Sequence, residues 1–153
     1  MKIVVLGNNT TFETLKSCNT DGNWIRVDDI TSLLSHTDAS AFFDVRAEEE
    51  RNYAVTAIPF FVHSVIHNTP LHNNIIRINA WEGFLEHPAW ETAGNFTDKE
   101  KEITDFLHKK IIHCADEPGF ITARIIAMII NEAYFAKGEN VSTEEEIDTA
   151  MKL

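Results

Sequence analysis

The chain is poor in cysteine, in positive charge and in long apolar runs, and each shortage closes off a class of function. Its two cysteines, Cys18 and Cys114, make no disulfide framework and stand in no C-x-x-C spacing, so both are expected to be free thiols. Only 13 Lys and Arg stand against 24 Asp and Glu, a net charge of −11. Nucleic-acid binding needs a basic footprint on the phosphates, so nucleic acid is excluded as a partner, and anionic membrane surfaces are disfavoured for the same reason. No apolar run reaches the length that spans a bilayer. The N-terminal MKIVVLGNN holds one Lys and an apolar run of four residues, too short for the core of a secretory leader, and the cytoplasm is the expected compartment. Repeats and low-complexity stretches are also lacking. No metal site is expected: His63, His67 and His72 have no carboxylate or cysteine at a recognisable ligand spacing.

What is present is an ordinary globular composition, 44% hydrophobic and 24% charged, in 153 residues, enough for one domain with a short appendage. Lys2 to Gly7, Trp24 to Val27, Ala41 to Val45, Pro59 to Ile66, Ile75 to Ile78 and Lys110 to Cys114 read as strands, being short apolar or β-branched runs closed by turn residues. Between them, Thr11 to Cys18, Ile30 to His36 and Ala47 to Ala54 suit short helices. Residues 97–109 suit a helix with Thr97 as N-cap and Glu100 completing a capping box. Strands alternating with helices imply a parallel sheet with crossover connections. With roughly 17 residues between the first two strands, those crossovers are close to minimal.

From Phe120 to Lys137 the pattern becomes that of a helix apolar around nearly its whole circumference, with Gly138 as its expected terminator. Ser142 and Glu145 then suggest a capping box for a last helix, Ser142 to Leu153, and the acidic excess between Glu139 and Asp148 reads as its solvated start.

These residues carry a resemblance. Asp116-x-Pro118-Gly119-Phe120-Ile121-x-x-Arg124, then Asn131-Glu132-Ala133, then Glu146 to Leu153, resemble the 3-hydroxyacyl-CoA dehydrogenases. The resemblance implies an α/β fold: a reduced Rossmann-like NAD-binding-type domain over residues 1–115. Residues 116–153 would be a truncated form of that family's helical C-terminal domain. It also implies where cofactor and chemistry should lie. A dinucleotide fingerprint needs small residues that let backbone N–H groups approach a pyrophosphate. Gly7-Asn8-Asn9-Thr10-Thr11-Phe12 keeps only the first glycine. Asn9 adds a side chain where phosphate should approach, and Phe12 fills the place where helix meets strand. Asp28, 21 residues beyond Gly7, has the position of a ribose-binding carboxylate. Gly7, Asn9 and Asp28 are therefore the candidate cofactor residues, and no NAD binding or only weak binding is expected.

The resemblance further implies a His general base and a Glu that orients it twelve residues later. Here Asn79 takes the place of the His, and Glu91 stands twelve residues on. A carboxamide takes no proton near neutral pH, so Asn79 cannot act as base. The substrate-contacting Asn expected three residues after the Phe of the P-G-F motif is Ala123. The family's Ser-rich turn corresponds to Asn68-Thr69-Pro70. His63, His67 and His87 are the alternative bases, with His63 more simply a core residue and His87 an exposed one. Trp81, Phe84 and Trp90 read as core, or as the lining of a residual acyl pocket. The expectation is thus a catalytically impaired relative, binding an acyl-CoA, a nucleotide or another protein; an active NAD-dependent oxidoreductase with a relocated base is the alternative. Because the short remainder of the chain cannot cover so apolar a helix, a homodimer through residues 119–137 is expected, with exchange of helices as an option.

Overall fold

The computed structural model describes residues 1–54, 56–67 and 74–152, and the chain divides into two compact units, Met1–Phe120 and Ile121–Leu153. The turn Asn68-Thr69-Pro70 and His72 lie outside the described residues.

The first unit is built on a seven-stranded sheet with the order β2-β1-β3-β4-β5-β6-β7. Its strands are β1 (Lys2–Leu6), β2 (Asn23–Val27), β3 (Ala41–Asp44), β4 (Phe60–His63), β5 (Ile75–Ile78), β6 (Ala89–Ala93) and β7 (Lys110–His113). Helices α1 (Asn9–Cys18), α2 (Ile30–Ser35) and α3 (Asp98–Phe106) make crossovers, and every strand pair is parallel except β5 with β6. The expected α/β, Rossmann-like architecture with short crossover helices is what forms. The two faces of the sheet bury separate apolar sets: Ile3, Val5, Phe43, Phe61, Ile76, Ile78 and Trp90 on one, Val4, Leu6, Phe42, Phe60, Val62 and Ile75 on the other. That alternation is the strand period of two, doubled because both faces are covered.

Three details differ from the sequence expectation. Ala89–Ala93 is a strand, β6, and it runs antiparallel to β5, the connection 79–88 being shorter than the dozen or so residues a parallel return needs. Residues 47–54 form no helix. Arg46 and Tyr53 both bind the Asp44 carboxylate, and Glu48 binds the backbone of Ile66 and His67. Those tertiary bonds override a weak local helix preference. The fourth strand stops at His63, and Ser64 to His67 turn away from the sheet. The capping box of α3 forms as expected, with Thr97 and Glu100 bonded reciprocally.

The second unit holds α4 (Thr122–Gly138) and α5 (Glu144–Ala150). Gly138 is not the terminator: it is still helical, and the left-handed residue is Asn140, at φ 55°. The cap of α5 is Thr143 with Glu146, one residue beyond the pair expected. Lys137 pairs with Glu144 at 2.5 Å, and Ile130, Ala133 and Tyr134 share a groove with Ile147 and Met151. No residue of α4 is buried in the single chain. No helix among the described residues is long and apolar enough to cross a membrane.

Candidate functional site

In an open α/β sheet, ligands bind beyond the carboxyl ends of the strands, where the strand order reverses. Here β2 and β3 lie on opposite sides of β1, so the reversal falls between Leu6 of β1 and Asp44 of β3. Gly7 sits at that point, buried. A Cβ on it would meet Thr11 Oγ1 at 2.7 Å and Val45 Cγ2 at 2.8 Å, so the chain's own side chains fill the approach. Asn8 is the N-cap of α1, and its Oδ1 accepts the Thr11 N–H at 2.8 Å, while the Thr11 hydroxyl donates back to Asn8 O at 3.1 Å. A helix N-terminus attracts an anion through its free N–H groups; here one of them is already satisfied. Asn9, the first residue of α1, is exposed. Asp28 is exposed and pairs with Arg26 at 2.5 Å, and the same guanidinium donates to Gly7 O at 3.2 Å. Phe12 packs edge-on against Trp24, with centroids 6.4 Å apart.

On the neighbouring strand the buried Asp44 accepts two bonds from the Arg46 guanidinium, at 2.9 and 2.6 Å, and one from the Tyr53 hydroxyl at 2.9 Å. The Arg46 guanidinium is held more firmly charged by that carboxylate. Burial, with the same carboxylate alongside, pushes the Tyr53 phenol well above its ordinary range.

The expected catalytic pair lies further along the sheet. Ile78 pairs with Thr92 across the antiparallel β5–β6 ladder, so the register continued by one residue sets Asn79 opposite Glu91. Both are buried, at 2% and 8% exposure. Asn79 Oδ1 accepts the Trp81 N–H at 3.1 Å, while its Nδ2 has no hydrogen-bond partner among the described residues. Of the alternative bases, His63 stands at the end of β4, opposite Ile78. Its Nδ1 accepts the Ala80 N–H at 3.1 Å, which commits the lone pair a base would use. Burial lowers its affinity for a proton below the ordinary value of 6.5, against the nearby Glu48 and Asp44 carboxylates, which raise it. His87 is exposed and stacks on Phe84, centroids 5.6 Å apart.

The turn after β4 is tied down from several sides. Arg77 of β5, wholly buried, donates through Nε to Ser64 O at 3.0 Å and through Nη2 to Val65 O at 3.2 Å. It also pairs with Asp116, and its guanidinium lies 5.0 Å from the centroid of the Phe120 ring. Phe120 has a φ of 44°, a strained value for a bulky residue, and its contact with Arg77 helps to hold it there. Gly119 N–H donates to Val65 O at 2.6 Å, and the Ser64 hydroxyl to His67 O at 2.5 Å. None of this was legible in the sequence, where Arg77 is one charge inside an apolar run; that isolation was its only signal.

A cleft of about 370 Å³ opens between the first turns of α1 and the loop after β5, lined by Asn8, Thr10, Thr11, Thr14, Trp81, Glu82 and Glu86 among others. Its outer wall is fixed from behind: the buried Lys109 donates to Leu85 O at 2.7 Å and His87 O at 2.8 Å, and lies 5.2 Å from the Trp90 ring centroid. Trp90 is core, while Trp81 and Phe84 are only half-buried. Glu82 and Glu86 are exposed on that loop, and Glu91 is a buried strand residue. Both cysteines are free, and no cluster of three metal-ligating side chains occurs among the described residues.

Residues 119–153 match the family model of the 3-hydroxyacyl-CoA dehydrogenase C-terminal domain. A 3-hydroxyadipyl-CoA dehydrogenase of Escherichia coli (strain K12) is 49% identical over 45 residues, which make up 29% of this chain and 10% of that enzyme. Among solved structures, an (S)-3-hydroxybutyryl-CoA dehydrogenase from Ralstonia eutropha superposes with a TM-score of 0.69 at 15% identity, over 99% of this chain and 76% of the other. An NAD+-dependent dismutase that is a 5-dehydrogenase of a pyridine carboxylic acid gives 0.67 at 13% identity, over 99% of this chain and 69% of its own. The aligned sequence thus spans a small part of the curated relative, whereas the fold is shared across nearly the whole of this chain. The sequence similarity to 3-hydroxyacyl-CoA dehydrogenases lies at the C-terminal end, and the rest of the chain shares the fold of these solved structures.

Proposed function

We propose that this chain is a relative of the 3-hydroxyacyl-CoA dehydrogenases whose dehydrogenase chemistry is impaired, and that it acts as a dimeric binding or regulatory module. The observation that carries this reading is the carboxamide of Asn79, buried opposite Glu91 where the relatives' chemistry would require a proton acceptor. Its free Nδ2–H can donate to a ligand's carbonyl but cannot remove a proton. The ligand in this reading is an acyl-CoA or a nucleotide.

The residues at the nucleotide end do not suit a tightly held dinucleotide. Side chains crowd Gly7, the Asn8 cap has taken one N–H of α1, and Arg26 already neutralises Asp28. The adjoining cleft offers a pyrophosphate the carboxylates of Glu82 and Glu86 and no cation. NAD binding is accordingly absent or weak in this proposal. The alternative, an active NAD-dependent oxidoreductase of 3-hydroxyacyl-CoA metabolism, needs another base. His63 is the nearest candidate, and its bond from Ala80 and its reluctance to hold a proton both count against it.

The dimer rests on α4. Ile125, Met128, Tyr134 and Phe135 are 51%, 66%, 72% and 65% exposed, with Ile121, Ile126, Ile129 and Ile130 between 39% and 47%. Burying one such side chain is worth about 1.5–3 kcal/mol, so covering six or seven recovers on the order of 10 kcal/mol, comparable with a domain's net stability. A second copy offers the same surface in return.

Titration of the purified protein with NADH and acetoacetyl-CoA tests the functional reading. Nicotinamide fluorescence that does not saturate, with no oxidation of NADH, is the expected result. Saturable binding together with turnover would replace this reading with the active oxidoreductase.

A further inference from the structure

We propose that the backbone amides of Ile66 and His67 form a binding site for the oxyanion of a small ligand, a carboxylate or a phosphate, and that Glu48 is an internal occupant which such a ligand displaces. Two successive N–H groups converge on one oxygen, Glu48 Oε1, with His67 N at 2.9 Å. Consecutive amides aimed at one point are a recurrent anion cradle, because their dipoles add and need no rearrangement. The turn follows β4 directly, at the carboxyl edge of the sheet where α/β folds take their ligands.

The cradle does not depend on Glu48 for its shape. Arg77 holds the Ser64 and Val65 carbonyls, Gly119 N–H bonds Val65 O, and the Ser64 hydroxyl bonds His67 O. With Glu48 withdrawn, the two amides would still point to the same place. The occupant, by contrast, is held on one side only. Glu48 Oε2 is shut off from solvent and has no hydrogen-bond partner among the described residues. Leaving a carboxylate oxygen dry and unbonded works against the closed arrangement. Glu48 also rides on a strap, residues 45–54, without helix or strand, anchored at Asp44 by Arg46 and Tyr53. Releasing Glu48 therefore breaks no secondary structure. A ligand bearing two or three oxygens satisfies both amides and keeps its remaining oxygens toward water.

The inference does not rest on dinucleotide binding, and its test needs no activity. The 15N-labelled full chain and its Glu48→Ala variant are titrated separately with inorganic phosphate and with acetate at constant ionic strength, following the amide resonances of Ile66 and His67. In Glu48→Ala both resonances should shift saturably, at a concentration on the order of tenfold below that for the unaltered chain, as when an internal competitor fills the site about nine-tenths of the time. The salt that titrates at the lower concentration identifies the ligand class as phosphate or carboxylate. Absence of a saturable shift at these two amides in Glu48→Ala, or equal midpoints in both proteins, overturns the proposal. If Glu48→Ala loses its dispersed spectrum, Glu48→Gln replaces it, keeping the shape and removing the charge. A midpoint lower than that of the unaltered chain supports the displacement, and an unchanged one refutes it.

Discussion

Asn79 and Glu91 are both buried, and the β5–β6 register, continued by one residue beyond the pair Ile78–Thr92, sets them opposite. The backbone register thus sets the two positions opposite, and a carboxamide at one of them lacks the chemistry of a base. The amide tolerates its place beside a carboxylate because it is neutral. Asn79→Asp keeps the acceptor for Trp81 N–H but buries a second carboxylate. It should cost about 3 kcal/mol in urea unfolding, with a greater loss at about pH 8 than at about pH 4. An unchanged stability at the higher pH would show that residues 79 and 91 do not face each other.

Arg77 is the buried cation on which the turn after β4 depends. Arg77→Met takes the guanidinium donors from the Ser64 and Val65 carbonyls and the cation from Asp116, and should destabilise the first unit by about 3 kcal/mol. Arg77→Lys should recover only part of this, since an ammonium cannot reach Ser64, Val65 and Asp116 with the geometry of a guanidinium. Amide exchange at Gly119, whose N–H bonds Val65, should accelerate in both variants.

His63 should make stability depend on pH in a defined direction. Its folded proton affinity lies below the ordinary value of 6.5, chiefly through burial, so the unfolded chain protonates first as pH falls. Between the two affinities the unfolded state binds more protons, and stability rises with pH. The unfolding free energy should thus decline as pH drops from about 7 toward about 5, with a contribution of up to about 1.4 kcal/mol per pH unit. His63→Gln, whose amide oxygen can still accept the Ala80 N–H, should flatten that part of the curve. Identical slopes in the two proteins would contradict the assignment.

At the first turn, Gly7→Ala places a methyl group against Thr11 Oγ1 and Val45 Cγ2. A loss of about 1–3 kcal/mol is expected from overpacking. Val45→Ala in the same background should relieve part of it, so the double variant should lose less than the sum of the two single changes. Full additivity would mean that Gly7 is free of that crowding.

The apolar surface of α4 gives the dimer its test. Sedimentation velocity should show twice the chain mass for the unaltered protein. Met128→Glu and Ile125→Glu, both at exposed positions, should shift it to the single-chain mass without lowering helix content. A monomeric unaltered protein at high micromolar concentration would remove the dimer from the proposal.

Much of the fold was legible because its strands are short β-branched runs with glycine or acidic ends, as in Lys2 to Gly7. The α3 capping box was equally plain. What escaped depends on contacts distant in sequence. Ala89–Ala93 follows Pro88 and carries Glu91 at its centre, which resembles a loop until Ile78 and Arg77 supply its ladder. The helix expected over 47–54 yields to bonds that Arg46, Glu48 and Tyr53 make elsewhere. Asn79 and Glu91 could be singled out from the resemblance, but the Glu48 cradle could not, because backbone N–H groups leave no trace in residue identity.

Lys109 has a consequence for whatever enters the cleft beside α1. By grasping the Leu85 and His87 carbonyls from the protein interior, it makes the loop bearing Trp81, Glu82 and Glu86 a standing wall. A visitor would find its berth already shaped and would lose less affinity to the stiffening of a floppy host. Even a small molecule with few contacts can lodge in such a recess.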